Sequence, residues 1–224
     1  MTDKSQIDLI FSILENPVRR KIIKRLSQQP SYALEIAKEL GLGQQLVTTH
    51  LSIMEREGFV SSNMKTSPVG PKRRLYFLKQ SGCLTVSFGP HLYSEQLRGF
   101  DSLPTKISQD ATKFLDKLKE IKQNRSEKLD LLSKLIAEVD EKLLTLETEK
   151  IVLLHIRNMA MKKASEELAT QEKLPHERRI MHFIIDERCT DVEKISDALN
   201  LKESTIRCVL EKLKHGSTER RQLL

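Results

Sequence analysis

The chain has 224 residues, 38% hydrophobic and 31% charged, with no Trp and a formal net charge of +7. Few aromatics and much charge fit a helical, extended protein better than a compact enzyme with a deep pocket. Cys83, Cys189 and Cys208 are far apart and odd in number, so neither a disulfide framework nor a zinc site of paired cysteines is expected.

Residues 1–82 hold 13 Lys and Arg against 7 Asp and Glu, a surplus of 6. Nearly all of the excess charge therefore sits on the N-terminal third, as expected for a polyanion partner. No run approaches the roughly 18 apolar residues of a membrane span, and the N-terminus lacks signal-peptide architecture. A cytoplasmic protein with no membrane partner is expected.

In chain order, residues 5–15 predict a helix with Ile7, Ile10, Phe11 and Leu14 on one face. Asn16 caps a second helix with Pro17 at its first position. Val18, Ile22, Ile23 and Leu26 form its apolar stripe. Arg19, Arg20, Lys21, Lys24 and Arg25 lie outside it, open to phosphate or to solvent. Pro30-Ser31 turns the chain into a helix over residues 34–40, with Ile36, Ala37 and Leu40 inward. Gly41-Leu42-Gly43 supplies a sharp turn.

The following helix starts near Gln44 and ends at Gly58. Val47, Leu51 and Met54 mark its buried face. The opposite face carries Gln44, Gln45, Thr48, Thr49 and Ser52, where a solvated helix would carry Lys and Glu. Gln can pair with adenine, Ser and Thr suit several base edges, and a Thr methyl can meet a thymine methyl, so this face suits a major groove. A hairpin follows, opening at Phe59-Val60 and returning through Leu75–Leu78. Its tip holds Lys72, Arg73 and Arg74, where a wing would reach phosphates or a minor groove. His50 and Arg56 are further candidates for backbone contact.

Residues 10–78 resemble the winged helix-turn-helix of ArsR-type transcriptional regulators, particularly archaeal ones. The resemblance is carried by Ile13–Arg20, the helix pair, Val47–Leu51, Glu55–Val60 and the basic wing. It implies binding of double-stranded operator DNA as a homodimer. The Cys-x-Cys metal site of many such repressors has no counterpart, because residues 34–40 contain neither Cys nor His. His50, His91, His155, His176 and His182 are scattered, and no metal or other cofactor is expected. No Gly-rich phosphate loop, nucleophile elbow or paired-carboxylate motif appears, so the chain does not read as an enzyme.

Cys83–Phe88 reads as a strand ended by Gly89-Pro90, and residues 89–104 as a connector. From 107 to about 163 there is no Gly or Pro. With Leu115 at heptad position a, the seam Leu129, Leu132, Ile136, Val139, Leu143 and Leu146 is wholly apolar, whereas Lys122, Arg125 and Lys150 interrupt it. A coiled-coil homodimer is expected. Beyond Pro175, helices over 176–187 and 202–214 flank a short one capped by Asp191. An offset of 159 aligns Ile36 with Ile195, Leu40 with Leu199, Leu42 with Leu201, Val47 with Ile206, Leu51 with Leu210 and Met54 with Leu213. A second, wingless helix-turn-helix is implied, with Glu203, Ser204, Arg207 and Glu211 outward.

The expected fold is mainly α. It comprises a winged helix-turn-helix (1–88), a connector (89–104), a coiled-coil dimerisation helix (105–165) and a C-terminal three-helix HTH-like domain (172–216). The expected function is sequence-specific DNA binding by a homodimeric transcription regulator of unknown effector. The alternative is a winged-helix adaptor that assembles proteins and touches nucleic acid weakly or not at all.

Overall fold

Asn16 sets the start of a helix by a local hydrogen-bond cap. Its side-chain oxygen accepts the N–H groups of Val18 and Arg19 at 2.9 and 3.2 Å, and α2 (Pro17–Gln28) starts there with Pro at its first turn. It follows α1 (Lys4–Leu14). The computed structural model describes residues 4–66, 71–123, 128–170 and 174–221. Residues 67–70, between the two strands of the expected hairpin, and Arg125 of the heptad series lie outside them. The chain is predominantly α-helical with small β elements.

After α2 come β1 (Ser31–Tyr32), α3 (Ala33–Leu40), α4 (Gln44–Arg56), β2 (Val60–Lys65) and β3 (Arg73–Leu78). The strands form an antiparallel sheet in the order β1-β3-β2, with Ser31 opposite Tyr76, Ser62 opposite Tyr76 and Lys65 opposite Arg73. The sequence indicated the β2–β3 hairpin but not β1, a two-residue strand created by its partner. The core beneath is Ile13, Ile22, Leu26, Ile36, Val47, Leu51, Met54, Val60 and Tyr76, all buried. Ile13 is fully enclosed, although the helical stripe pointed to Phe11 and Leu14 in its place.

The α3–α4 turn rests on Gly41, whose φ of 64° is left-handed. Its N–H donates to the Lys38 carbonyl and the Leu42 N–H to the Ala37 carbonyl, at 3.3 and 2.9 Å. This closes the helix end in a Schellman arrangement.

Residues 83–88 form the expected strand, and residues 92–99 depart from the connector expected over 89–104 by forming another. They form a hairpin of β4 (Gly82–Gly89) and β5 (Leu92–Gly99), so Gly89-Pro90 starts a turn and does not end the sheet. Residues 92–99 lack the β-branched enrichment that marks a strand, and the unpaired edge of β4 supplies the template.

The single long helix expected from 107 is two: α5 (Gln109–Gln123) and α6 (Lys128–Thr170). Lys117 of α5 reaches Glu138 of α6 at 2.5 Å, and Ile121 and Leu135 are each 8% exposed, so α5 lies back along α6. Leu115 and Leu118 therefore belong to another helix than the seam at 129–146. Lys122, read at a seam position, precedes the change of helix, where a continuous seam would have to bury its charge.

The C-terminal elements are α7 (Pro175–Glu187), α8 (Val192–Leu199) and α9 (Glu203–Arg221) around Ile180, Ile195, Ile206 and Val209. The last helix runs past the expected end at 214. Shifted by 159, α3 superposes on the limits of α8, and the starts of α4 and α9 coincide. Asn200, with φ 52°, occupies the place of Gly41, and the Leu201 N–H donates to the Ser196 carbonyl as Leu42 does to Ala37. Asp191 caps α8 through the N–H groups of Glu193 and Lys194. Glu177 accepts from Lys212 at 2.7 Å and from the Leu174 N–H. The Lys212 bond is the main cause holding its carboxyl below the usual range, and it ties α7 to α9. By contact the chain divides into two compact units, residues 1–87 with 93–113, and 88–92 with 114–224.

A Cβ at Gly41 would meet nothing within 4 Å, so Gly41→Ala tests backbone strain alone. It is expected to cost about 1–2 kcal/mol. Asn200→Gly should be neutral or mildly stabilising, since Gly carries no penalty at positive φ. Urea unfolding of both variants checks the pair.

Candidate nucleic-acid interface

Because Val47, Leu51 and Met54 are fully buried, the helical period turns the other side of α4 outward. Gln44, Gln45, Thr48, Thr49, Ser52 and Arg56 are all exposed and, with Ile53, line one shallow groove. The side chains singled out on this helix thus come together, His50 excepted. The Thr48 hydroxyl donates to the Gln44 carbonyl at 2.9 Å and the Thr49 hydroxyl to the Gln45 carbonyl at 3.0 Å. Their single donors are occupied, which leaves acceptor lone pairs and methyl groups for an incoming ligand. The two glutamines retain donors as well as acceptors.

The wing cations divide. Arg74 pairs with Glu55 of α4 at 3.3 Å, and Glu55 also accepts from Ser62 at 2.5 Å. Arg74 thus fastens the wing to the helix and is not a free cation. Lys72 and Arg73 are exposed and have no ion pair among the described residues. Opposite Arg73 across the strands stands Lys65, also exposed. Residue-by-residue reading missed Lys65; extending the hairpin register would have found it. Arg56 is 75% exposed in its side chain and bonds Glu57 at 2.9 Å.

The basic residues of α2 are mostly engaged. Arg19 donates to the Ser12 carbonyl at 2.6 Å, and Arg20 to the carbonyls of Leu14 and Glu15. Both satisfy the free carbonyls at the end of α1. Arg25, with 11% of its side chain exposed, grips Glu39 of α3. That bond is the main cause lowering the Glu39 carboxyl and raising the Arg25 guanidinium. Of the five cations only Lys21 and Lys24 remain exposed without a described partner.

His50, a candidate for backbone contact, sits at the edge of this face. It is half-buried, and its Nδ1 is buried with no partner among the described residues. Burial first, and the Arg19 charge second, hold its pKa below the ordinary value. Both effects disfavour the charged form of the ring.

A His with a depressed folded pKa gives full stability above its unfolded value of about 6.5 and loses it as pH falls toward the folded one. The first unit is therefore expected to weaken as pH drops below about 6.5, and His50→Gln should flatten that loss. The three tyrosines, Tyr32, Tyr76 and Tyr93, all lie in this unit, so tyrosine fluorescence during urea unfolding follows it selectively.

Comparison with known proteins places a family on this region. The model of the bacterial regulatory protein arsR family, a helix-turn-helix family, matches residues 16–62. A stretch of 51 residues is 41% identical to an uncharacterised HTH-type transcriptional regulator of Methanocaldococcus jannaschii, covering 23% of this chain and 54% of that protein. The chain thus spans about half the length of the curated relative it matches. Among solved structures, the transcriptional repressor BigR from Xylella fastidiosa is 18% identical over 34% of this chain and 72% of its own, with a TM-score of 0.31. HlyU from Vibrio cholerae is 22% identical over 35% of this chain and 80% of its own, with a TM-score of 0.30. The capped α2, the α3–α4 pair and the first half of β2 lie within the matched residues, so residues 16–62 are the part of the chain similar to an arsR-family helix-turn-helix domain.

Proposed function

We propose that the chain is a sequence-specific double-stranded DNA-binding transcription regulator that acts as a homodimer. The observation that carries the reading is the exposed face of α4, where Gln44, Gln45, Thr48, Thr49 and Ser52 stand together free of packing duty. Gln45 offers the paired donor and acceptor that adenine requires. The threonines accept from exocyclic amino groups or pack their methyls on thymine. Lys65, Lys72 and Arg73 supply phosphate or minor-groove contact, with Arg56 at the end of the helix. Arg74 acts by keeping the wing in place.

One such domain covers a half-site, so tight recognition calls for two. The seam supports a second copy of the chain. Leu129, Ile136, Leu143 and Leu146 are 82, 60, 55 and 48% exposed in the single chain, and covering them drives association. Leu132 and Val139 are half-buried and lie nearer the α5 side.

A gel shift over a salt series with fragments from the protein's own upstream region tests the reading. Gln45→Ala or Thr49→Ala should reduce discrimination between operator and random DNA by about 1–3 kcal/mol. Arg73→Ala should lower the salt slope by about one unit, and Arg74→Ala by less. Equal binding to all fragments, or none, would favour the adaptor. For assembly, Ile136→Asp with Leu143→Asp should convert a sedimenting dimer to a monomer, because both charges would be buried in the seam. A wild-type monomer at micromolar concentration, with full operator affinity, would contradict the dimer.

A further inference from the structure

The second unit contains a cleft of about 470 Å3 between the end of α6 and α7, a volume in the range that holds small organic ligands. Leu168, Ala169, Phe183 and Leu199 make one side apolar. On the other side α7 places Arg178 and His182 one helical turn apart, with Arg179 beside them. The single carboxylate in the lining, Asp186, is already taken by Arg157 at 2.5 Å. Among the described residues no ion pair involves Arg178, Arg179 or His182. Arg179 makes one bond, to the Leu199 carbonyl at 3.2 Å. The lining therefore joins an apolar wall to uncompensated positive donors.

Ser165 adds a directional feature. On the same helix Thr145 and Thr148 satisfy their hydroxyls on the carbonyl four residues back. The Ser165 hydroxyl, in the cleft wall, is buried and has no partner among the described residues. A buried donor without an acceptor is uncommon and calls for a partner, which a ligand in the cleft would supply.

We propose that this cleft binds a small organic carboxylate with an apolar body. The carboxylate would face Arg178 and His182, the hydrocarbon part would lie on Leu168, Phe183 and Leu199, and Ser165 would complete the oxygen contacts. A neutral molecule would leave the guanidinium groups unpaired. A bare inorganic anion would leave the apolar wall unused. Charge-assisted bonds to a carboxylate are the strong ones in such a setting. The site lies wholly in the second unit, and its occupancy does not depend on whether residues 44–73 read DNA.

Calorimetry on the full chain without DNA tests this directly, with phenylacetate as probe and phenylacetamide and acetate as controls. Phenylacetate should saturate one site per chain in the millimolar range, with each control weaker by about tenfold or more. Arg178→Gln should weaken phenylacetate by about tenfold with the thermal melt unchanged. Ala169→Phe, at an exposed helix position, should block the cleft; should either variant unfold, the other decides. No saturable binding of phenylacetate, equal binding of the three compounds, or unchanged binding in the folded variants would overturn the proposal.

Discussion

Both helix-turn-helix units depend on one backbone constraint: a residue in the left-handed region between two short helices. At Gly41 and Asn200 the chain stops one helix and sets the angle of the next. The carbonyls this leaves open are closed by Leu42 and Leu201, each reaching five residues back. Only with that angle fixed can Val47 meet Ile36, and Ile206 meet Ile195, in fully enclosed cores. The two units solve the same steric problem with different residues. Gly removes the Cβ, whereas Asn tolerates the conformation through its short polar side chain.

Surplus positive charge is the obvious feature of the N-terminal region, yet much of it performs structural work. Arg19 and Arg20 close the end of α1, Arg25 holds α3, and Arg74 fastens the wing to α4. Net charge thus overstates what is open to a polyanion. The cations left exposed and without described partners include Lys21 and Lys24 on α2, Lys38, Lys79 and a small group on the wing, Lys65, Lys72 and Arg73. The second unit shows the converse, for its Arg178 and Arg179 line a recess with no ion pair among the described residues while Arg157 is committed to Asp186.

What could be read from the sequence was local. The Asn16 cap, Pro17, the turn at Gly41 and the period of Val47, Leu51 and Met54 each act within a few residues, and each is found as expected. The repeat at 159 was visible for the same reason. Features that depend on distant partners were not. Ser31 and Tyr32 become a strand only because Leu75 and Tyr76 lie beside them. Leu92–Gly99 is recruited by β4. Arg25 resembles any surface cation until Glu39 is placed next to it. The site followed the same division: helical period located the face of α4, but the choice between free and committed cations is a three-dimensional matter. His50 falls between, since its half-buried place on the helix edge follows from period while its lowered pKa follows from the enclosure around it and from Arg19.

The face of α4 has a consequence for how such a chain diverges. Gln45, Thr48, Thr49 and Ser52 contribute nothing to the buried core, and their described bonds within the protein are the two threonine hydroxyls turned back on their own helix. Exchanges there fall in the class of exposed substitutions that shift stability by about 0.5 kcal/mol or less. Mutation can thus sample new chemistry on this face almost independently of foldability. Copies of the gene could drift to different ligands by steps that each leave an intact protein, while Val47, Leu51 and Met54 hold the scaffold constant.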